Sequence, residues 1–412
     1  MLALGNYQIG GADGFEATKL LSLDPATLRP IGALKLRDAA SGFAFSPDRR
    51  TLVFAGENFG ELLFVDPGRL KVERRLKVVR HPADVSLSIA GWPRGRLLVA
   101  FASREGAWWA PHPARLLLVD AESGAVSRHA SLGGEVDDVV TMRDGTVVML
   151  RLDPVSGGVE TGIPVLVTVG PDGRIRKLPL RRLELDGHER VRVGGTTFRA
   201  ERTVGLASDG NRRVFAVAAD RPIAEVDVPT LHVQYHSVRI PDVRFSVPPM
   251  TPGSGGVHLR YSRGANWLGQ NLLAFWGTDE LPAKGSVMVL HRFDPLRVQI
   301  VHTRSWRVVR SVAATSCEPV RAVVLCAGGV KIARSGAGSV DTGLVAYDSR
   351  WKVLYRRPAP FYWCASAGRL FAETLSGPRF ELDLRTGARL HRVHLPELEY
   401  PCELIIWKPA RP

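Results

Sequence analysis

Adjacent tryptophans, Trp108 and Trp109, stand in a segment bordered by Gly106 and Pro111, with His112 just behind them. Two apolar rings side by side offer a stacking platform for a sugar, a base or a partner's apolar patch; folded back, they would serve as a local lid. Asp279 and Glu280 would form a carboxylate group with Asp153 if the fold brought their segments together. A calcium ion needs such oxygens, but no DxDxDG run accompanies them, so no cofactor is expected and calcium is the alternative. Asp137 and Asp138 open an alternating segment and would reach a central channel from an innermost strand, although turn capping accounts for at least one of them.

The 11 histidines show no HExxH or HxH spacing. His232 and His236 fall on one predicted strand, where its rise separates them by about 13 Å, too far to share a metal. No metal site is therefore expected. No GxSxG, Cys–His signature or phosphate loop is present, and GSGG at Gly253–Gly256 is not followed by a helical pattern. The catalytic residues, if the chain has any, carry no local signature.

The four cysteines, Cys317, Cys326, Cys364 and Cys402, lie in the last quarter of the 412 residues. Their even number suits disulfides, and Cys317 and Cys326 flank a short turn; buried free thiols are the alternative. The pairing reading favours an extracytoplasmic protein whose leader is absent, with a cytoplasmic location as the alternative. No apolar run reaches the roughly 20 residues of a transmembrane helix. Hydrophobic content of 45% and charged content of 23% exclude a disordered chain. The net charge of +14 favours acidic partners. Its arginines are scattered, which makes nucleic acid an unlikely partner. The dense stretches Arg74–His81 and Arg174–Arg182 read as solvated faces of outer strands.

These residues must be positioned by a repeat. A β-rich segment ending in aspartate, a short turn and an alternating strand return at Asp24, Asp66, Asp120, Asp227, Asp348 and Asp383, with degenerate copies at Gly170 and His302. Aspartate at a strand end accepts hydrogen bonds from N–H groups two or three residues on, closing the hairpin. Ahead of most copies lie two more strands around a polar turn, as in Gly42–Gly56, Val139–Leu150, Val204–Ala218, Asn266–Gly277, Ala313–Gly328 and Phe361–Thr374. Four strands per unit predict an all-β chain, a single β-propeller domain over 1–412 with eight four-stranded blades, seven being the alternative. The segment Tyr400–Lys408 supplies a spare strand that would join the incomplete first blade and close the ring.

The segments LVDAESG, VAYDSRWKVLY and ELDLRTG resemble repeats of the bacterial quinoprotein-like and YVTN-type propellers, and FSPDRRTLVFAG resembles their first hairpin. The resemblance implies the architecture over nearly the whole chain. That superfamily includes quinone-dependent dehydrogenases, lyases and non-catalytic scaffolds. The chain lacks the dehydrogenases' adjacent cysteine pair and regular tryptophan.

In such a ring, turns between first and second and between third and fourth strands share one face. The long segments, including 103–114, 153–162, 184–201, 277–286, 333–341 and an inter-blade insertion loop over 241–264, fall on the other. Insertions gathered on one face mark the binding face. The expectation is a non-catalytic, monomeric binding or scaffold propeller that presents this face to a protein or anionic polymer. An enzyme, a lyase or hydrolase with its site at the channel mouth, is the alternative.

Overall fold

The computed structural model describes residues 2–9, 15–36, 40–56, 60–78, 85–95, 97–104, 114–155, 159–184, 191–193, 196–198, 200–202, 204–218, 221–238, 245–246, 259–282, 289–291, 297–313, 315–316, 323–325, 331–337, 340–358, 362–366, 369–373, 379–393 and 403–405. Among them the only helical element is the 3-10 turn Arg181–Leu183; everything else regular is strand.

The alternation in each repeat builds antiparallel sheets, each named below by the residue that ends or directly follows its third strand. Among the described residues, six of these sheets have four strands. The Asp66 sheet runs Ala40–Phe45, Leu52–Gly56, Glu61–Asp66 and Lys71–Lys77 in sequence order. The Asp120, Gly170, Asp227 and Asp383 sheets follow the same plan. In the Asp24 sheet, Phe15–Leu23 lies between Pro30–Lys35 and Leu2–Ile9, and Glu403–Ile405 pairs antiparallel with the free side of Leu2–Ile9.

The His302 sheet is larger, with seven strands, and the Asp348 sheet has five. A two-stranded ribbon, Val191–Val193 with Thr196–Phe198, stands apart.

The apolar faces of consecutive sheets meet. Phe54 and Leu63 pack between the Asp24 and Asp66 sheets, Leu150 and Val214 between the Gly170 and Asp227 sheets, and Phe215 and Phe275 between the Asp227 and His302 sheets. First strands touch one another in succession: Ala40–Phe45 with Val85–Arg94, then Glu135–Thr141, Gly205–Ser208 and Leu259–Gly269. Face-to-face sheets around touching inner strands define a β-propeller.

Several segments expected as loops are strand. In the Gly170 sheet, the ladder that begins with Val147 opposite Val169 continues to Val155 opposite Val159, so most of 153–162 is a hairpin. Leu272–Pro282 carries the ladder through 277–282. The segment 241–264 contains the strand Phe245–Ser246 and is strand again from Leu259. In the Asp348 sheet the second strand is Lys331–Ala337, paired with Val323–Leu325 on one side and Val340–Tyr347 on the other. That places a hairpin across the expected 333–341 loop. These stretches lie between the repeat strands in sequence, but a neighbouring strand at ladder distance satisfies their backbone and makes them strand.

Candidate functional site

The face bearing the short turns is consumed by its own structure. Asp24 Oδ1 accepts the N–H groups of Ala26 at 3.0 Å and Thr27 at 2.6 Å. Asp66 receives Gly68 and Arg69, Asp120 receives Glu122 and Ser123, and Asp383 receives Arg385 and Thr386. Asp348 receives Arg350 and Lys352, both at 2.8 Å. Asp227 accepts the Thr230 N–H as well, and its carboxylate pairs in addition with the Arg212 side chain and the Thr230 hydroxyl. The donated N–H groups hold Asp24 and Asp383 below the usual carboxylate range, with the Thr27 and Thr386 backbones as the leading cause; for Asp227 the leading cause is Arg212.

Three or four residues past each of these naming residues the chain takes a left-handed residue. It is Leu28, Leu70, Leu231, Trp306 or Trp351 in five sheets and Gly124, Gly173 or Gly387 in the others. Bulky residues disfavour positive φ, and packing offsets the cost, since Leu28 is fully buried and Trp306 lies flat on His236 of the preceding sheet at 3.7 Å. At Gly387 a Cβ would strike the Tyr355 ring of the preceding sheet at 2.6 Å, so glycine is favoured there by space as well as by φ. At Gly124 the Cβ would meet only the end of the Leu76 side chain, at 2.8 Å, and φ decides.

Arginines then tie sheet to sheet. Arg74 donates to the Ala121 and Glu122 carbonyls of the next turn while lying over Phe64. Arg176 donates to Val228 and Pro229, each at 2.8 Å, and Arg357 to Gly387. Arg369 reaches Pro25 in the Asp24 turn at 3.0 Å. Residues that read as solvated charge therefore include links between sheets, a role carried by no local motif.

Among the described residues a dense polar cluster lies between the Asp227 and His302 sheets. Arg213 donates to Asp209 at 2.9 Å and to Glu225 at 3.0 Å, and sits over the Trp267 ring. The His236 Nε2–H donates to the other Glu225 oxygen at 3.0 Å. Burial pushes the His236 imidazole below its ordinary range, outweighing the attraction of Glu225. Burial also works against the Asp209 charge, yet three backbone N–H groups and Arg213 hold it below the carboxylate range. The cluster is internally satisfied and packed under Trp306, which makes it a joint between sheets.

The opposite face is built differently. In the His302 sheet, Leu272–Pro282 pairs with Arg297–His302 only as far as the Phe275–Gln299 position, then runs on. Five further residues, Thr278–Pro282, project by about 16 Å at strand rise. There the strand pairs with Tyr261 and Ser262 on one side and Val289–His291 on the other, and Val289–His291 pairs in turn with Phe245–Ser246. Asp279 stands opposite Tyr261 and Glu280 opposite His291. Asp153 occupies the corresponding extension of the Gly170 sheet, opposite Thr161. Ala200–Arg202 links the two sheets: it pairs parallel with Leu259–Tyr261 and contacts Val159–Val169.

Asp137 and Asp138 lie at the same end, on the inner strand of the Gly170 sheet, where a bulge falls between Val136 and Asp138. Asp138 is half-buried and its Oδ1 accepts the Val139 N–H at 2.8 Å. Trp108, Trp109 and His112 lie outside the described residues, as do Cys317, Cys326 and Cys402; Cys364 is on Tyr362–Ser366, opposite Phe371. No group of three His, Cys, Asp or Glu capable of holding a metal occurs among the described residues, and no helix there is long and apolar enough to cross a membrane.

Comparison with solved structures agrees on the fold. The chain is similar to the dihydro-heme d1 dehydrogenase NirN in complex with DHE, with a TM-score of 0.57 and 15% identity over 95% of this chain and 72% of that one. It is similar also to the Dos1 propeller, with a TM-score of 0.51 and 11% identity over 88% of this chain and 85% of that one. No family model and no curated protein matches the chain. At these identities the likeness establishes a β-propeller and nothing about activity.

Proposed function

We propose that the chain is a closed, eight-bladed binding or scaffold propeller of the quinoprotein-like and YVTN type. It works without catalysis and presents its long-loop face to a protein or anionic polymer. The eight-blade count is supported by a four-strand core inside each of the two larger sheets. One is Leu259–Gly269, Leu272–Pro282, Arg297–His302 and Arg307–Ala313; the other is Val323–Leu325, Lys331–Ala337, Val340–Tyr347 and Val353–Pro358. Ring closure is supported by the pairing of Leu2–Leu4 with Glu403–Ile405 and by the Arg369–Pro25 bond. The reading includes an extracytoplasmic, monomeric protein.

One observation carries the functional reading. Strands that would suffice for the blade run beyond it on one face and collect Ala200–Arg202, Val289–His291 and Phe245–Ser246 there. Backbone ordered outside the blade core costs conformational entropy, so this elaboration is expected to serve recognition.

The test is site-specific photo-crosslinking in the source cells. A crosslinker at 109 or 280 is expected to capture discrete adducts, and one at 50 or 172 on the turn face none. Adducts from the turn-face positions alone would overturn the reading.

A further inference from the structure

A second surface runs around the outside of the ring. In six sheets the outer hairpin carries a β-bulge that leaves one residue of the fourth strand without a partner in the ladder. These are Ile31, Glu73, Ser127, Val309, Leu354 and Leu390. Each stands three residues beyond the left-handed turn residue of its sheet. The extra residue of a bulge is pushed out of the ladder. Among the described residues the exposed large hydrophobic side chains are Ile31 (69%), Val309 (46%), Val353 (39%), Leu354 (36%) and Leu390 (50%). Four of the five are bulge residues, and Val353 adjoins one of them.

Their distribution is one-sided. The apolar bulges belong to the His302, Asp348, Asp383 and Asp24 sheets, which are neighbours. Ile300 packs with Val345 across the first junction, Arg357 bonds Gly387 across the second, and Arg369 bonds Pro25 across the third. The other arc has Glu73 and Ser127 at its bulges and none in the Gly170 and Asp227 hairpins. Charge follows the same division. In the outer-hairpin segments 25–35, 303–313, 349–358 and 384–393 every charged residue is Arg or Lys, whereas the other arc includes Glu73, Glu122 and Asp172.

Bulges and cations blunt a sheet edge against unwanted strand pairing. Glu73 and Ser127 perform that task with polar side chains. The apolar choice on the four neighbouring sheets is therefore surplus to edge protection.

We propose that this arc is a docking surface for an acidic polypeptide segment carrying apolar side chains at intervals. The arginines and lysines of the outer hairpins attract the acidic groups, and Ile31, Val309, Leu354 and Leu390 each receive an apolar one. The outward curvature of a ring favours a segment that can follow it over a flat lipid surface, which would meet only part of the arc. The site is separate from the long-loop face.

Fluorescence anisotropy at physiological salt tests it. The probes are a labelled peptide alternating Glu with Leu and Phe, the same peptide with Ser at the apolar positions, and vesicles of phosphatidylserine and phosphatidylcholine. The apolar peptide is expected to bind roughly tenfold or more tighter than its Ser counterpart. Combining Ile31→Ser, Val309→Ser, Leu354→Ser and Leu390→Ser is expected to abolish that advantage while leaving the melting temperature unchanged. Glu280→Ala leaves it intact, which separates this surface from the long-loop face. Should the combined variant fail to fold, Glu73→Leu with Ser127→Leu extends the surface instead and is expected to tighten apolar-peptide binding. Equal affinity for both peptides, indifference to both sets of substitutions, or binding to vesicles in place of peptide would overturn the proposal.

Discussion

The two ends of the strands are made to different rules. At the short-turn end, connections are a few residues long, their aspartates are occupied by the backbone, and their carbonyls are held by arginines from the preceding sheet. At the other end the strands overrun the blade and gather additional pieces of chain. The fold thus separates the parts that join sheet to sheet from the parts that extend beyond the blade, and the comparison indicates where substitutions will be felt.

The largest effect is expected in the core beneath both ends. Phe215→Ala empties the space between the Asp227 and His302 sheets, where Phe215 is fully buried and stacked on Trp267 at 5.3 Å. A loss of about 3–5 kcal/mol is expected, read by denaturant unfolding. Arg213→Ala leaves Asp209 and Glu225 without their cation and is expected to cost about 2 kcal/mol by the same measurement. Arg176→Ala removes two bonds to the Asp227 turn and should cost about 1 kcal/mol. Asp120→Ala, which releases the Glu122 and Ser123 N–H groups, should cost a similar or smaller amount, about 0.5–1 kcal/mol.

Acid sharpens the same contrast. His236 is depressed in the fold, so the unfolded chain binds the proton first; stability falls as pH drops below about 6.5 and stops falling below the folded value. His236→Gln should flatten that part of the profile. Asp24, Asp48, Asp209, Asp227 and Asp383 are also depressed, and their contribution, complete above about pH 4, is lost as pH falls through their folded values. Melting curves between pH 3 and 8 read both steps.

Local chemistry made much of this legible. Aspartate followed by a short turn and an alternating strand identifies a hairpin without reference to anything distant, which is why Asp24, Asp66, Asp120 and Asp383 could be placed from sequence. The links through Arg74, Arg176 and Arg357 could not be placed, because each finds its acceptor 30 to 53 residues away on another sheet. Leu70 and Trp306 in left-handed conformation were also hidden, since neither residue type signals positive φ and only the neighbouring sheet makes it worthwhile. On the far face, the segments 277–286 and 333–341 read as loops, whereas pairing partners make 277–282, 333–337 and 340–341 strand. Asp153, Asp279 and Glu280 stand on strand extensions opposite Thr161, Tyr261 and His291, pairings that no local motif encodes.

The most direct test of the division removes the elaboration. The register continuing from Phe275–Gln299 sets Gly277 opposite Arg297, so residues 278–296 can be excised and the strands joined by a two-residue Asn-Gly turn. The thermal unfolding of this shortened chain should remain cooperative, with a midpoint close to that of the intact protein. Loss of cooperative unfolding, or a fall as large as that of Phe215→Ala, would show that the far face holds the ring together and would contradict the account.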